Sequence, residues 1–95
     1  MPEMRFTIRW PDGRSESCYS PSLVIKDYLT PGESYDLADF VAKSREALNI
    51  ASARVEERYG FPCSRAMGQL ARIEAAARTY STEPNPRVAV EAFDE

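Results

Sequence analysis

A chain of 95 residues with a formal net charge of −3 and 43% hydrophobic residues has room for one modest core and no second one. Histidine is absent and the two cysteines, Cys18 and Cys63, show no CxxC spacing; this removes the commonest general base, every Ser-His or Cys-His nucleophile pair, and any self-contained four-ligand zinc site. Glu83, Glu91, Asp94 and Glu95 outnumber Arg87 in residues 81–95, leaving a charge-neutral body, a balance that disfavours nonspecific nucleic-acid binding.

Met4, Phe6, Ile8 and Trp10 alternate with Arg5, Thr7 and Arg9, the period of a half-buried strand. Pro11-Asp12-Gly13 suits a three-residue hairpin loop with Gly13 in the left-handed region. The resulting register sets Trp10 opposite Arg14, Phe6 opposite Cys18 and Arg5 opposite Tyr19, so that Cys18 shares the apolar face and Tyr19 the outer one. A slip of one residue would exchange the two cysteine and tyrosine faces.

Ser20-Pro21-Ser22 reads as a helix start, with Ser20 as N-cap and a short helix over residues 21–29, a third strand being the alternative. A long helix then opens at Asp36, with Tyr35 packing on Phe40 as a hydrophobic staple, and closes at Gly60. Its buried stripe is expected to follow Leu37, Val41, Ser44, Leu48, Ala51 and Val55, widened by Phe40, Ala47 and Tyr59. Ile50 falls off that stripe, where it could mark a docking patch, and Asp39–Lys43 makes an i,i+4 pair. The short GFPC link leads to an antiparallel helix over 64–80, with Ala66, Leu70, Ile73, Ala77 and Tyr80 inward and Gly68 permitting a close approach on the opposite face. STEPNPR excludes helix, and Val88 and Val90 favour a last strand added to the hairpin.

The expected fold is therefore α+β: an N-terminal antiparallel β-hairpin, able to gain a third strand from the C-terminal tail, packed on two antiparallel α-helices, with a short helix after the hairpin. Residues 1–80 form the domain and 81–95 a proline-containing acidic tail. No apolar run approaches the ~18 residues of a spanning helix and no basic-then-apolar leader is read; a cytoplasmic location is expected, with no membrane contact.

The chemistry-bearing candidates are few. Cys63, at the start of the second long helix, is either a thiolate favoured by the helix dipole or a small hydrophobe at the helix turn. Cys18 belongs to the core in the preferred register and is the weaker thiol candidate. The outer sheet face carries Arg5, Arg9 and Tyr19 and ends at Ser20 and Ser22, whose helix start could hold a carboxylate or phosphate. That surface is the leading place for a small anionic ligand or a partner, against the plain alternative of a solvated polar face. Adjacent Glu56 and Glu57 point to different sides of their helix, and Trp10 reads as a lid on the core.

Taken together, MRFTIRWPDG, ESCYSPS, GESYDLADFV, ALNIASARVEERYGFPCS and QLARIEA resemble a small bacterial family of nitrogen-starvation response proteins over roughly residues 1–77, with the tail outside. The resemblance implies a gene neighbourhood with a nitrilase, a radical-SAM protein, an acetyltransferase and a flavoprotein, and thus nitrile or unusual-nitrogen metabolism. It carries no family active site. The expected function is that of a noncatalytic accessory or binding protein without a cofactor, partnered by a protein of the same neighbourhood; a small thiol-dependent enzyme or carrier using Cys63 is the alternative. A homodimer through an unpaired strand edge remains open.

Overall fold

The computed structural model describes residues 2–95. Strands β1 (Met4–Arg9) and β2 (Ser15–Ser20) form the hairpin, and the register is the expected one, with Phe6 opposite Cys18 and Arg5 opposite Tyr19. Gly13, at φ 90°, donates its N–H to the Trp10 carbonyl (2.8 Å), and the Trp10 N–H reaches the Arg14 carbonyl (2.9 Å). Only a residue tolerant of the left-handed region closes this loop without strain.

After β2 the chain departs from expectation. β2 runs through Ser20, and the next element is a 3₁₀-helix over Leu23–Asp27 whose N-cap is Ser22, its Oγ accepting from the Val24 N–H (3.3 Å). Ser20 is no cap: its hydroxyl folds onto the Ser22 backbone, donating to the carbonyl (2.7 Å) and accepting from the N–H (3.3 Å). A short strand, β3 (Ser34–Asp36), precedes the long helix α1 (Leu37–Tyr59). Asp36 occupies the N-cap position without a side-chain cap bond, because its carboxylate pairs with Arg87 (3.2 Å). Tyr35 pairs with Val88 in the sheet, and its hydroxyl accepts from the Thr30 N–H (2.9 Å).

α1 ends at Gly60 in the left-handed conformation, φ 87°, and α2 (Ser64–Tyr80) returns beside it. Leu37, Phe40, Ser44, Ala47, Leu48 and Ala51 are buried as the spacing requires, whereas the stripe fades at its C-terminal end: Val55 is half-buried and Tyr59 is 55% exposed. Ile50 is half-buried against the core instead of standing free. The 3₁₀-helix packs on α1, and Arg54 of α1 donates to the Ser22 Oγ (2.9 Å). All five inward positions expected of α2 are buried, joined by Gln69.

β4 (Arg87–Asp94) completes one antiparallel sheet in the order β2-β1-β4-β3. The tail strand therefore lies inside the sheet, between β1 and β3, with Val88 and Val90 almost wholly buried. Its register on β1 shifts between Thr7 and Ile8, leaving Glu91 as the extra residue of a bulge. Glu91 accordingly reaches Arg9 Nε (2.9 Å) and Ser15 Oγ (2.9 Å), and both bonds hold its carboxyl below the usual range.

Trp10 closes one end of the core, as read from sequence. It stacks on Tyr80 (centroids 5.6 Å apart), meets Phe40 edge-on (5.9 Å) and donates its indole N–H to Glu16 (2.8 Å). Such aromatic contacts add about 0.5–1.5 kcal/mol beyond area burial.

Candidate functional site

The edge of β2 meets the N-terminal half of α2, and the contact is polar. Gln69 is only 2% exposed and sits on the face of α2 turned to that edge. Its Oε1 accepts from the backbone N–H of Tyr19 (3.0 Å) and from Arg72 Nη2 (3.3 Å). The first bond satisfies a sheet-edge donor that β1 does not reach. Two donors aimed at one amide atom fix the orientation of the side chain, since the flipped form would oppose N–H to N–H. Gln69 Nε2 is consequently left buried and without a partner. A buried donor in that state costs about 1–3 kcal/mol.

Gln69 belongs to the lining of a cavity of about 210 Å³, with its Nε2 buried behind that surface. Arg65, Gly68, Gln69 and Arg72 form its α2 wall, at i, i+3, i+4 and i+7, and Arg5, Ser17 and Tyr19 form its sheet wall. Ser64, the first residue of α2, stands at one end. Arg65 lies with its guanidinium carbon 3.9 Å from the centre of the Tyr19 ring, and Arg5 lies 5.9 Å from it. These two contacts explain why Tyr19, on the outer face of the hairpin, is nevertheless only 8% exposed. Burial, followed by the hydrogen bond from its hydroxyl to Glu3 (3.0 Å), pushes the Tyr19 phenol above its ordinary pKa. Glu3 offsets part of the positive charge, lying 4.0 Å from Arg65, while Asp94 stands opposite Arg5 in the sheet without forming an ion pair with it.

The structure thus brings Arg5 and Tyr19 together and separates the other binding candidates from them. Arg9 is engaged by Glu91 at another part of the outer face. Ser20 and Ser22 are buried, with their hydroxyls committed to backbone groups and to Arg54. Arg65, Gln69 and Arg72 were not singled out by sequence reasoning; the available signal was a glutamine flanked by arginines at helical spacing beside an apolar stripe.

The thiols differ sharply. Cys18 is fully buried, and desolvation, reinforced by Glu16, pushes its pKa up to about 12. Cys63 is half-buried at the N-cap position of α2, its backbone N–H donating to Ser52 Oγ (3.1 Å). Both are free thiols. Among the described residues no group of three or more His, Cys, Asp or Glu could hold a metal ion, and no helix is long and apolar enough to cross a membrane.

A larger cleft, about 680 Å³, lies between the start of α1, the end of α2 and the Asn85–Pro86 linker. Its charged groups include the mutually satisfied pair Arg45–Glu74 (2.9 Å), and the Asp36 carboxylate at its rim is held by Arg87. The smaller cavity is the stronger candidate because its lining gathers Arg5, Arg65 and Arg72 with no carboxylate among the lining residues.

A family model described as nitrogen starvation-induced protein NitG matches residues 5–93. The match includes β4, which the sequence reading had placed outside the resemblance. No curated protein and no solved structure matches the chain.

Proposed function

The chain belongs to the nitrogen starvation-induced NitG family, and from that premise we propose that it serves the starvation response by binding, as a noncatalytic accessory protein in nitrile-related metabolism. The observation that carries this reading is the cavity between β2 and α2: it gathers the positive charge of Arg5, Arg65 and Arg72, with no carboxylate or imidazole in its lining to act as a base. Such a set can hold an anion and has little with which to transform it. In this proposal the protein works in the cytoplasm, with a protein partner encoded in the same gene neighbourhood and a small anion as ligand.

Affinity-tagged protein recovered from nitrogen-starved native cells tests this. Retention of a co-encoded enzyme, lost on Arg5→Gln/Arg65→Gln substitution, supports it. Turnover of a nitrile or another nitrogenous compound by the isolated polypeptide overturns it.

Cys63 favours a second reading, that of a small thiol enzyme or carrier, because it stands at the N-cap position beside cavity residue Ser64. If Cys63→Ser abolishes the response to starvation while leaving partner retention intact, this reading replaces the first.

A further inference from the structure

We propose that an extended, acidic segment of the partner protein adds to the free edge of β2 as a fifth strand of the sheet, with its carboxylates on Arg5, Arg65 and Arg72 and its backbone passing beside Gly68. This rests on the accessory reading above and names the chemistry of the partner at the same site.

β2 ends the sheet order, so one of its two edges has no strand beside it. The Trp10 N–H bonds the Arg14 carbonyl, and alternation from that pair turns Arg14, Glu16, Cys18 and Ser20 toward β1. Ser15, Ser17 and Tyr19 therefore point their N–H and C=O groups away from it. The Tyr19 N–H fixes that direction by bonding Gln69 Oε1 (3.0 Å). Gln69 closes the edge at that end, whereas Ser15 and Ser17 are exposed and neither Lys nor Pro interrupts Ser15–Ser20. Edges left in this state accept a further strand. The opposite edge of the sheet, β3, is only three residues long.

Gly68 supplies an independent observation. A glycine inside a helix costs stability, and nothing within this chain requires it: a Cβ there would meet only Arg72 Nη1, at 3.8 Å. The space it leaves opens on the same cavity as Ser17 and Tyr19, where a backbone from outside would approach. Volume and charge narrow the occupant. About 210 Å³ lies below the roughly 300–1,000 Å³ of drug-sized and cofactor sites and suits the side chains of a strand. Arg5, Arg65 and Arg72 line it without a carboxylate; Arg72 bonds only Gln69 among the described residues, and Glu3, at 4.0 Å, answers Arg65 alone. Carboxylate side chains complete these guanidinium groups, while the outward carbonyls of Ser17 and Tyr19 take N–H groups from the added backbone. A second copy pairing through the same edge would set its own arginines against these, which disfavours it.

The test is fluorescence anisotropy of a labelled, capped peptide alternating glutamate with valine, titrated with the intact protein at low ionic strength. It is expected to bind at least tenfold more tightly than the same peptide with lysine for glutamate. It should exceed its N-methylated form, which keeps the charge and loses the N–H donors, by a similar factor. Gly68→Leu should lower the affinity at least tenfold while leaving the urea midpoint at or above that of the native protein, a combination that a merely structural glycine would not give. Arg72→Gln should weaken binding severalfold with the circular dichroism spectrum unchanged, and serves if Gly68→Leu folds poorly. Equal binding of the N-methylated peptide marks charge capture without strand pairing and overturns the inference. So does unaltered binding by a folded Gly68→Leu protein, no binding of any peptide at millimolar concentration, or self-association in sedimentation that excludes the peptide. Retention of a co-encoded protein is scored separately on native and Gly68→Leu protein; retention by both keeps the accessory role and removes the added strand.

Discussion

Asp12 fastens the hairpin loop to the far end of α2, accepting from the Arg14 N–H (2.9 Å) and the Tyr80 hydroxyl (2.8 Å). The backbone bond first, and the tyrosine bond second, hold its carboxyl below the ordinary 3.8. A depressed carboxylate contributes stability that is present above the unfolded pKa and is lost as pH falls through the folded one. Tyr80 shifts the other way, chiefly through desolvation and then through Asp12, so its contribution is complete below pH 10 and is lost as pH rises through its raised value. Tyr80→Phe should therefore lower the melting temperature at pH 7 by more than in acid, as the pH falls through the depressed Asp12 value and the carboxylate is protonated; thermal denaturation along an acid pH series checks this. The thiols give a second residue-scale prediction. Alkylation of native protein at pH 8 should modify Cys63 alone and of denatured protein both cysteines, because Cys18 is buried and its thiolate inaccessible near neutrality; intact-mass spectrometry counts the adducts.

Elements differ in how far they announce themselves. The β1–β2 register was legible because period-two alternation and a Pro-Asp-Gly loop leave one arrangement that buries Phe6, Ile8 and Trp10 together. Both ends of α2 were legible too, from a sustained apolar stripe and a short link. β3 was hidden: three residues carry no periodicity, and Ser34–Asp36 becomes a strand only because β4 arrives beside it. The 3₁₀-helix was read as a longer helix because Leu23-Val24-Ile25 has the right composition for either. The cavity was only half legible, since Tyr19 and Gln69 meet across 50 positions of chain. Gly68 was expected to permit a close approach; instead a Cβ there would meet only Arg72 Nη1, at 3.8 Å. Gly68→Ala should accordingly stabilise α2 by about 0.5–1 kcal/mol through backbone entropy, a rise in denaturant midpoint that urea titration would show.

At the scale of the molecule, one core joins both ends of the sequence. Phe40 is fully buried between sheet and helices and touches Trp10 edge-on; Phe40→Ala should cost about 3–5 kcal/mol, a large share of the roughly 5–15 kcal/mol available to a domain, with unfolding followed by fluorescence of Trp10. Deleting residues 87–95 should do more than trim a tail. It would strip β1 and β3 of their neighbour and leave Phe6, Ile8 and Leu37 uncovered, so the shortened chain should show no cooperative melting transition.

The position of β4 also dictates when this protein can acquire its shape. β1 leaves the ribosome first, yet one of its two neighbours is translated some eighty codons later, with Arg9 waiting for Ala89. Until then a nascent hairpin must carry an open edge and an unroofed apolar face, the kind of surface on which incomplete chains aggregate.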